Sequence, residues 1–261
     1  MARVTILGSG TCVPYARRGP AGYVLEGADT VLLIDSGSGT LGRLVQAGID
    51  YRDLDAVLYT HTHPDHVADL APLLFALNYT PGFERQAPLR LCGPPGFGGF
   101  LAGLEVLHPG IRPRSFALDL TEMDGSALAL GGIGVTSQAV EHANMPALAY
   151  RLEVAGCTVV FSGDTSYCAG IVAAARGADL LVLEASSPFA DRDPGPHLSA
   201  AMAGQVAREA GARRVVLTHQ YPECDGHDMA ALVGEHFAGE VVVGEDQMVL
   251  DVAPSSNPLG T

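Results

Sequence analysis

The stretch Tyr59-Thr60-His61-Thr62-His63-Pro64-Asp65-His66 decides how the rest of the chain is read. Three histidines and an aspartate crowd together directly after the apolar run Ala56-Val57-Leu58-Tyr59, which reads as a buried strand. Neutral imidazole and carboxylate are the side chains a borderline divalent cation such as zinc prefers, and this packing offers enough of them for two ions rather than one. His61 and His63, two apart on an extended segment, point the same way, while a turn at Pro64 lets Asp65 and His66 face a second ion.

The same arrangement recurs elsewhere in the chain. Asp35 closes a strand over 30–35, and His142 follows a strand-like, glycine-punctuated segment over 116–140. Asp164 follows the return strand of a hairpin over 147–162, and His219 follows a strand over 215–217. With His61, five separate strands bring a metal-competent side chain to their C-terminal ends, where open α/β architectures place their ligand crevice. Further strands are expected over 4–7, 22–26, 89–93, 179–184, 240–244 and 247–252, and helices over 41–47, 65–77, 97–107, 170–176, 199–210 and 227–237. The strand-rich stretches with interleaved helices suggest two halves of similar build.

No linker rich in Pro, Ser or charge divides the 261 residues, so 1–253 reads as one domain and 254–261 as a flexible tail. Apolar residues make up 48% of the chain and charged residues 17%, enough to bury a sizeable core and too few charges for a disordered protein. A net charge of -14 opposes long polyanionic ligands, so a long nucleic acid is not expected as a partner. A metal pair would reverse the sign locally and admit a small anionic substrate. Five scattered cysteines without a C-x-x-C pair read as reduced packing residues of a cytosolic protein. No stretch approaches the roughly 18 apolar residues of a membrane span, and the N-terminus shows no signal peptide, so a soluble cytoplasmic protein is expected.

Asp35, then His61-x-His63-x-Asp65-His66, then single His142, Asp164 and His219, in that order, resemble the full motif set of the metallo-β-lactamase superfamily. The resemblance implies an α/β fold, a four-layer αββα sandwich with two mixed β-sheets back to back, helices outside and a metal pair at the sheet edge. It also implies that one zinc takes His61, His63 and His142, and the other Asp65, His66 and His219, with Asp164 bridging. That makes two Zn2+ per chain, with Mn2+ or Fe2+ as alternatives. A water held between the ions would ionise near neutral pH and attack an electrophilic phosphorus or carbonyl carbon, which counts Asp65 among the catalytic groups as well as the ligands. Asp35 reads as a supporting or loop-fixing residue, its alternative role being to cap the helix after Gly37.

Leu181-Val-Leu-Glu184-Ala-Ser, Pro196-His197-Leu-Ser199 and Val216-Leu-Thr-His219 are similar to the ribonuclease Z branch of that superfamily, as are Leu7-Gly-Ser-Gly-Thr-Cys-Val-Pro14 and Asp35-Ser-Gly-Ser-Gly-Thr40. The resemblance implies that His197, held charged by Glu184, donates a proton to the leaving oxygen. Two departures count against processing of transfer RNA. The short span between His142 and Asp164 is used up by the hairpin, without the long arm that grips transfer RNA in bacterial members, and Tyr15-Ala-Arg17-Arg18-Gly19 lacks the branch's usual loop sequence.

The expectation is therefore a dinuclear metal-dependent hydrolase, a phosphodiesterase acting on a small substrate. Hydrolysis of a lactone, carboxylic ester or sulfate ester by the same centre is the alternative, and a metal- or cofactor-handling protein with little hydrolytic activity is another. A homodimer is implied by the resemblance alone. Arg17 and Arg18 could meet a substrate phosphate or lie solvated on the surface. His227 could line the pocket or sit at a helix start, and Tyr221 could shape the site or only pack. His108 and His236 read as solvent-facing histidines at helix ends. Gly93-Pro-Pro-Gly-Phe-Gly-Gly lacks the Lys and Ser/Thr of a phosphate loop and reads as a strand-to-helix turn.

Overall fold

A strand covered on both faces sends alternate side chains into two different apolar layers, and the runs of this chain sort themselves that way. In the computed structural model, which describes residues 1–254, Leu32 and Ile34 enter the central layer while Leu33 faces outward beneath helices. Leu180 and Val182 enter the same central layer from the other side, and Leu181 and Leu183 face a second set of helices.

The first half contains β1 (Ala2–Gly8), β2 (Gly22–Gly27), β3 (Thr30–Ser36), α1 (Thr40–Gln46), β4 (Ala56–Leu58), α2 (Pro64–Val67), α3 (Leu70–Tyr79), β5 (Leu89–Gly93), α4 (Phe97–Leu107) and β6 (Leu118–Glu122). The second contains β7 (Ala127–Leu130), β8 (Ile133–His142), β9 (Met145–Val154), β10 (Cys157–Phe161), α5 (Ala169–Ala174), β11 (Leu180–Glu184), α6 (Ala200–Ala210), β12 (Arg214–Thr218), α7 (Met229–Gly234), β13 (Glu240–Val243) and β14 (Val249–Val252). Two 7-stranded sheets result, in the orders β14-β1-β2-β3-β4-β5-β6 and β13-β12-β11-β10-β9-β8-β7. Each is mixed in the same manner. Antiparallel pairs come first, β14–β1, β1–β2 and β2–β3 in one sheet and β7–β8, β8–β9 and β9–β10 in the other. Parallel neighbours follow, from β3 to β6 and from β10 to β13.

The central layer between the sheets holds Ile6, Leu25, Tyr150, Leu152, Phe161 and Val216, and each fully buried aliphatic there contributes about 2 kcal/mol. Helices α1, α3 and α4 cover the outer face of the first sheet through residues such as Leu44, Leu70, Leu74 and Phe97. Helices α5, α6 and α7 cover the second through Ile171, Ala203, Val206 and Val233. The layers are therefore αββα, as expected from the sequence.

Two helices differ most from the sequence reading. The helix expected over 65–77 is two helices, broken at Ala68-Asp69, because Asp69 turns away from a helical ladder to bind elsewhere. Its backbone N–H donates to Ser36 O at 2.8 Å, and its carboxylate accepts from Gly39 N and Leu41 N at the start of α1. The helix expected over 227–237 shrinks to α7, capped by Asp228, whose carboxylate accepts from Ala231 N at 2.9 Å. The two closing strands part company, β13 joining the second sheet and β14 pairing antiparallel with β1 in the first. Of the tail expected over 254–261, all but Pro254 lies outside the described residues.

Gly37 lets α2 come close to the end of β3, since a Cβ there would stand 2.0 Å from Asp65 O. Among the described residues no helix is long and apolar enough to cross a membrane.

Candidate metal centre

Parallel pairing of β3 with β4 and of β10 with β11 and β12 puts their C-terminal ends on one edge of the two sheets. Asp35 sits near the end of β3, and His61 and His63 follow β4. Asp65 and His66 lie in the first turn of α2, where Pro64 occupies the position whose missing N–H is not needed. His142 ends β8, Asp164 follows β10, Glu184 ends β11 and His219 follows β12. Asp35 and His219 both adopt left-handed backbone, at φ 55 and 52, a conformation that a non-glycine residue keeps only when its surroundings impose it.

The side chains form two groups that meet at one carboxylate. His61, His63, His142 and Asp164 offer ligand atoms within 4.8 Å of one another, as do Asp65, His66 and His219. Asp164 reaches both groups. Its Oδ2 is 3.7 Å from Nε2 of both His61 and His142 and 3.3 Å from His219 Nε2, while its Oδ1 is 3.3 Å from His66 Nε2. His63 Nδ1 lies 3.0 Å from His142 Nε2, and Asp65 Oδ2 lies 3.5 Å from His219 Nε2. A third grouping, Asp164 with His197 and His219, is also close enough to hold an ion, but the Nδ1 of His197 is engaged by Glu184.

The far nitrogen of most of these imidazoles is tied down, which fixes the tautomer and aims the other nitrogen inward. His66 Nδ1 donates to Asp35 Oδ2 at 2.8 Å, and that carboxylate is itself held by Thr60 N and Thr60 Oγ1, both at 2.8 Å. Since the Thr60 hydroxyl donates to Asp35, it is left to accept from His61 Nδ1 at 3.0 Å. His142 Nδ1 donates to Pro196 O at 3.0 Å. Asp35 supports His66 rather than capping α1, whose first N–H groups are taken by the Asp69 carboxylate instead.

The inward atoms fit a cation pair. Nε2 of His61, His66 and His219 and Oδ1 of Asp164 are buried and have no hydrogen-bond partner among the described residues. Each such group left bare costs about 1–3 kcal/mol, and lone pairs converging on one another find no relief from protein donors. Burial and the neighbouring His66 hold His61 well below the usual imidazole range, leaving it neutral and able to ligate. Burial opposes protonation of His66 too, yet the carboxylates of Asp164 and Asp35 outweigh it and raise His66 well above that range. Asp164, despite its burial, is held well below the usual carboxylate range by His219 and His66. Negative potential and neutral donors therefore coexist here, as a divalent ion requires.

Beside this cluster, His197 Nδ1 lies 3.1 Å from Glu184 Oε1. Glu184 is 1% exposed and also accepts from Thr165 N, Leu198 N and Ser186 Oγ, so its carboxylate cannot turn away. Burial lowers the pKa of His197, but the bond and charge of Glu184 prevail and raise it. The Tyr221 ring packs edge-on against both His197 and His219, with centroids 6.1 and 6.2 Å away. A cleft of about 730 Å³ opens at His142, lined in part by Glu141, Asn144, Met145, Ser166 and Pro196, within the size range of small-molecule sites.

Other candidates fall differently. Arg18 is neither solvated nor free for a phosphate. It is 7% exposed, donates to Ser9 Oγ and Gly244 O, and pairs with Asp225 at 3.3 Å. Arg17 is exposed and also pairs with Asp225. Asp246 completes the clamp by accepting from Ser9 N and Gly19 N, so two acids that the sequence reading passed over fix the 9–20 loop. Arg18→Ala is expected to lower the unfolding free energy by about 2–4 kcal/mol, because it strands buried partners, and the denaturant midpoint reads this directly. His227 is exposed, its ring edge-on to Phe189 at 5.3 Å. In the Gly93–Gly99 turn, Gly96 N and Gly98 N donate to the Glu122 carboxylate, which occupies the cradle a phosphate would need. All five cysteines are free, four of them buried.

The beta-lactamase superfamily domain profile matches residues 30–220. A ribonuclease Z of Mycobacterium sp. is 32% identical over 280 residues, covering 97% of this chain and 97% of that protein. The alignment is longer than the 261 residues of this chain, so that relative carries segments absent here. Its name also stands against the expectation, drawn from net charge, that a nucleic acid is not a partner. Among solved structures, the metallo-beta-lactamase fold protein YhfI from Bacillus subtilis superposes with a TM-score of 0.82 at 27% identity, over 95% of this chain and 98% of that one. The short form of human tRNase Z shares the fold, with a TM-score of 0.77 at 23% identity over 96% of this chain and 99% of that one.

Proposed function

This chain belongs to the beta-lactamase superfamily, and on that premise we propose that it is a metal-dependent phosphodiesterase in which His197 and Glu184 form the proton-donor pair. One observation carries the reading: a histidine oriented by a buried, fully bonded carboxylate stands at the rim of a convergent His/Asp cluster. A plain metal-storage site has no use for that pair, whereas expulsion of a poor leaving alcohol does.

His61, His63 and His142 would hold one ion and Asp65, His66 and His219 the other, with Asp164 between them. When bound, the pair supplies a nucleophile ionised near neutral pH and a sink for negative charge developing on phosphorus. The chain's own residues do the rest. Glu184 holds His197 Nδ1 and keeps the ring charged, so that Nε2 is left to protonate the departing oxygen. Tyr221 confines that ring from the side. Asp35 and Thr60 keep His66 and His61 from rotating.

Zinc as the native metal, residues 1–253 as one domain, a homodimer and a cytoplasmic location complete the proposal. Ribonuclease Z relatives bring RNA phosphodiesters into the substrate class. The span between His142 and Asp164 is taken up by β9, β10 and their turn, and the chain has a formal net charge of -14, which favours a small or terminal phosphodiester over a long backbone track. A panel of bis-p-nitrophenyl phosphate, cyclic nucleotides, short RNA, a lactone, a carboxylic ester and a sulfate ester tests this. Turnover is expected on the phosphodiesters at least a hundredfold above the others; preferential cleavage of the lactone or either ester would reject the assignment.

A further inference from the structure

One hydroxyl lies between the two functional histidines. Ser186, 3% exposed, follows β11 by two residues, and its Oγ stands 2.7 Å from Glu184 Oε2, 3.1 Å from His219 O and 3.3 Å from His219 Nδ1. A hydroxyl has a single proton, and the ionised acceptor, which is also the nearest, takes it. The oxygen's lone pairs are then free to accept from His219 Nδ1. That places the His219 proton on Nδ1 and leaves the Nε2 lone pair facing Asp164 and Asp65, at 3.3 and 3.5 Å. On its other oxygen, the same Glu184 carboxylate engages His197 Nδ1 at 3.1 Å.

We propose that Ser186 is a positioning residue whose hydroxyl links the metal-site histidine His219 to the Glu184–His197 pair, so that ligand and proton donor are held in one fixed relation. The backbone supports this. Ser186 N donates to Leu198 O at 2.9 Å and Ala185 N donates to Thr218 O at 3.0 Å, which laces this short segment between the strand end that carries His219 and the loop that carries His197. The two rings lie almost parallel, with centroids 5.2 Å apart and planes at 28°, and both lean on the same tether. His219 needs that tether, because it has left-handed backbone and its buried Nε2 has no hydrogen-bond partner among the described residues. Without the hydroxyl, His219 Nδ1 loses its acceptor and Glu184 Oε2 loses a donor in the same step.

The inference rests on the proposed phosphodiesterase reading for His197, and its test separates the two. Ser186→Ala and Ser186→Thr are compared with the wild-type zinc-loaded protein in two measurements. One is zinc retention against a chromophoric chelator; the other is turnover of a phosphodiester with an alkyl leaving group against one with p-nitrophenoxide. In the alanine variant, zinc retention is expected to weaken by about 10–100-fold. Its turnover of the alkyl diester should fall at least ten times more than that of the activated one, and threonine, which keeps the hydroxyl, should restore both. If either measurement is unchanged in the alanine variant, or if threonine behaves as alanine does, the coupling is overturned. Should the alanine variant not fold, Ser186→Val, which matches threonine in shape but has no hydroxyl, carries the same comparison. A wild-type protein that retains zinc but cleaves neither diester rejects the phosphodiesterase reading instead, and zinc retention alone then decides whether Ser186 orients His219.

Discussion

Asp164→Asn is expected to lower phosphodiester turnover by more than about a thousandfold, the equivalent of the several kcal/mol that metal-ion charge stabilisation supplies at about 1.4 kcal/mol per factor of ten. The amide keeps the side chain's volume and removes its charge at the one position in reach of both ligand groups. Oδ2 faces Nε2 of His61, His142 and His219, and Oδ1 faces Nε2 of His66. Those nitrogens converge in a buried space where, apart from the His63–His142 contact, the described residues offer them no hydrogen-bond partner. Without the Asp164 carboxylate, Asp65 would be the one acid left among the ligands to offset the charge of a divalent pair. Metal content should fall together with kcat, and elemental analysis of the variant shows whether it does. Activity within tenfold of wild type would contradict the placement of Asp164 between the ions.

The second large effect is selective. His197→Ala is expected to lower kcat by about 10²–10⁴-fold for a phosphodiester with an alkyl leaving group, the usual contribution of a positioned general acid. For p-nitrophenoxide, which departs without a proton, the loss should stay below about tenfold. The geometry gives the reason: Nδ1 is engaged by Glu184, the ring is confined between His219 and Tyr221, and only Nε2 remains to serve the leaving oxygen. Equal losses on both substrates would mean that His197 acts through the ligand cluster rather than as a proton donor.

The metal-competent residues were legible because chemistry and local pattern coincide in them. His61, His63, Asp65 and His66 are almost contiguous, Asp164 and His219 each follow an apolar run short enough to read as a strand, and His142 follows the strand-like segment over 116–140. The αββα layering was less visible from composition, since strands such as Leu180–Glu184 are buried on both faces and show no polar alternation. It came instead from the resemblance that the motif order carries. What stayed hidden depends on partners distant in sequence. The break at Asp69 exists because that carboxylate holds the start of α1. Strand β14 leaves β13 for β1, a choice no local propensity encodes. Arg18 looks like a surface cation until Asp225 and Gly244 are brought against it. Ser186 lies within the Leu181–Ser186 motif but shows no role there, because its partner His219 arrives only from β12.

One protocol decides whether phosphodiester hydrolysis depends on a metal pair. Metal per chain is measured by elemental analysis, and hydrolysis of bis-p-nitrophenyl phosphate is followed before chelation, after chelation and after zinc is restored. Close to two equivalents of metal per chain is expected, with activity falling by at least about a hundredfold on chelation and returning with zinc. Full activity in protein stripped of metal would mean that hydrolysis needs no metal pair.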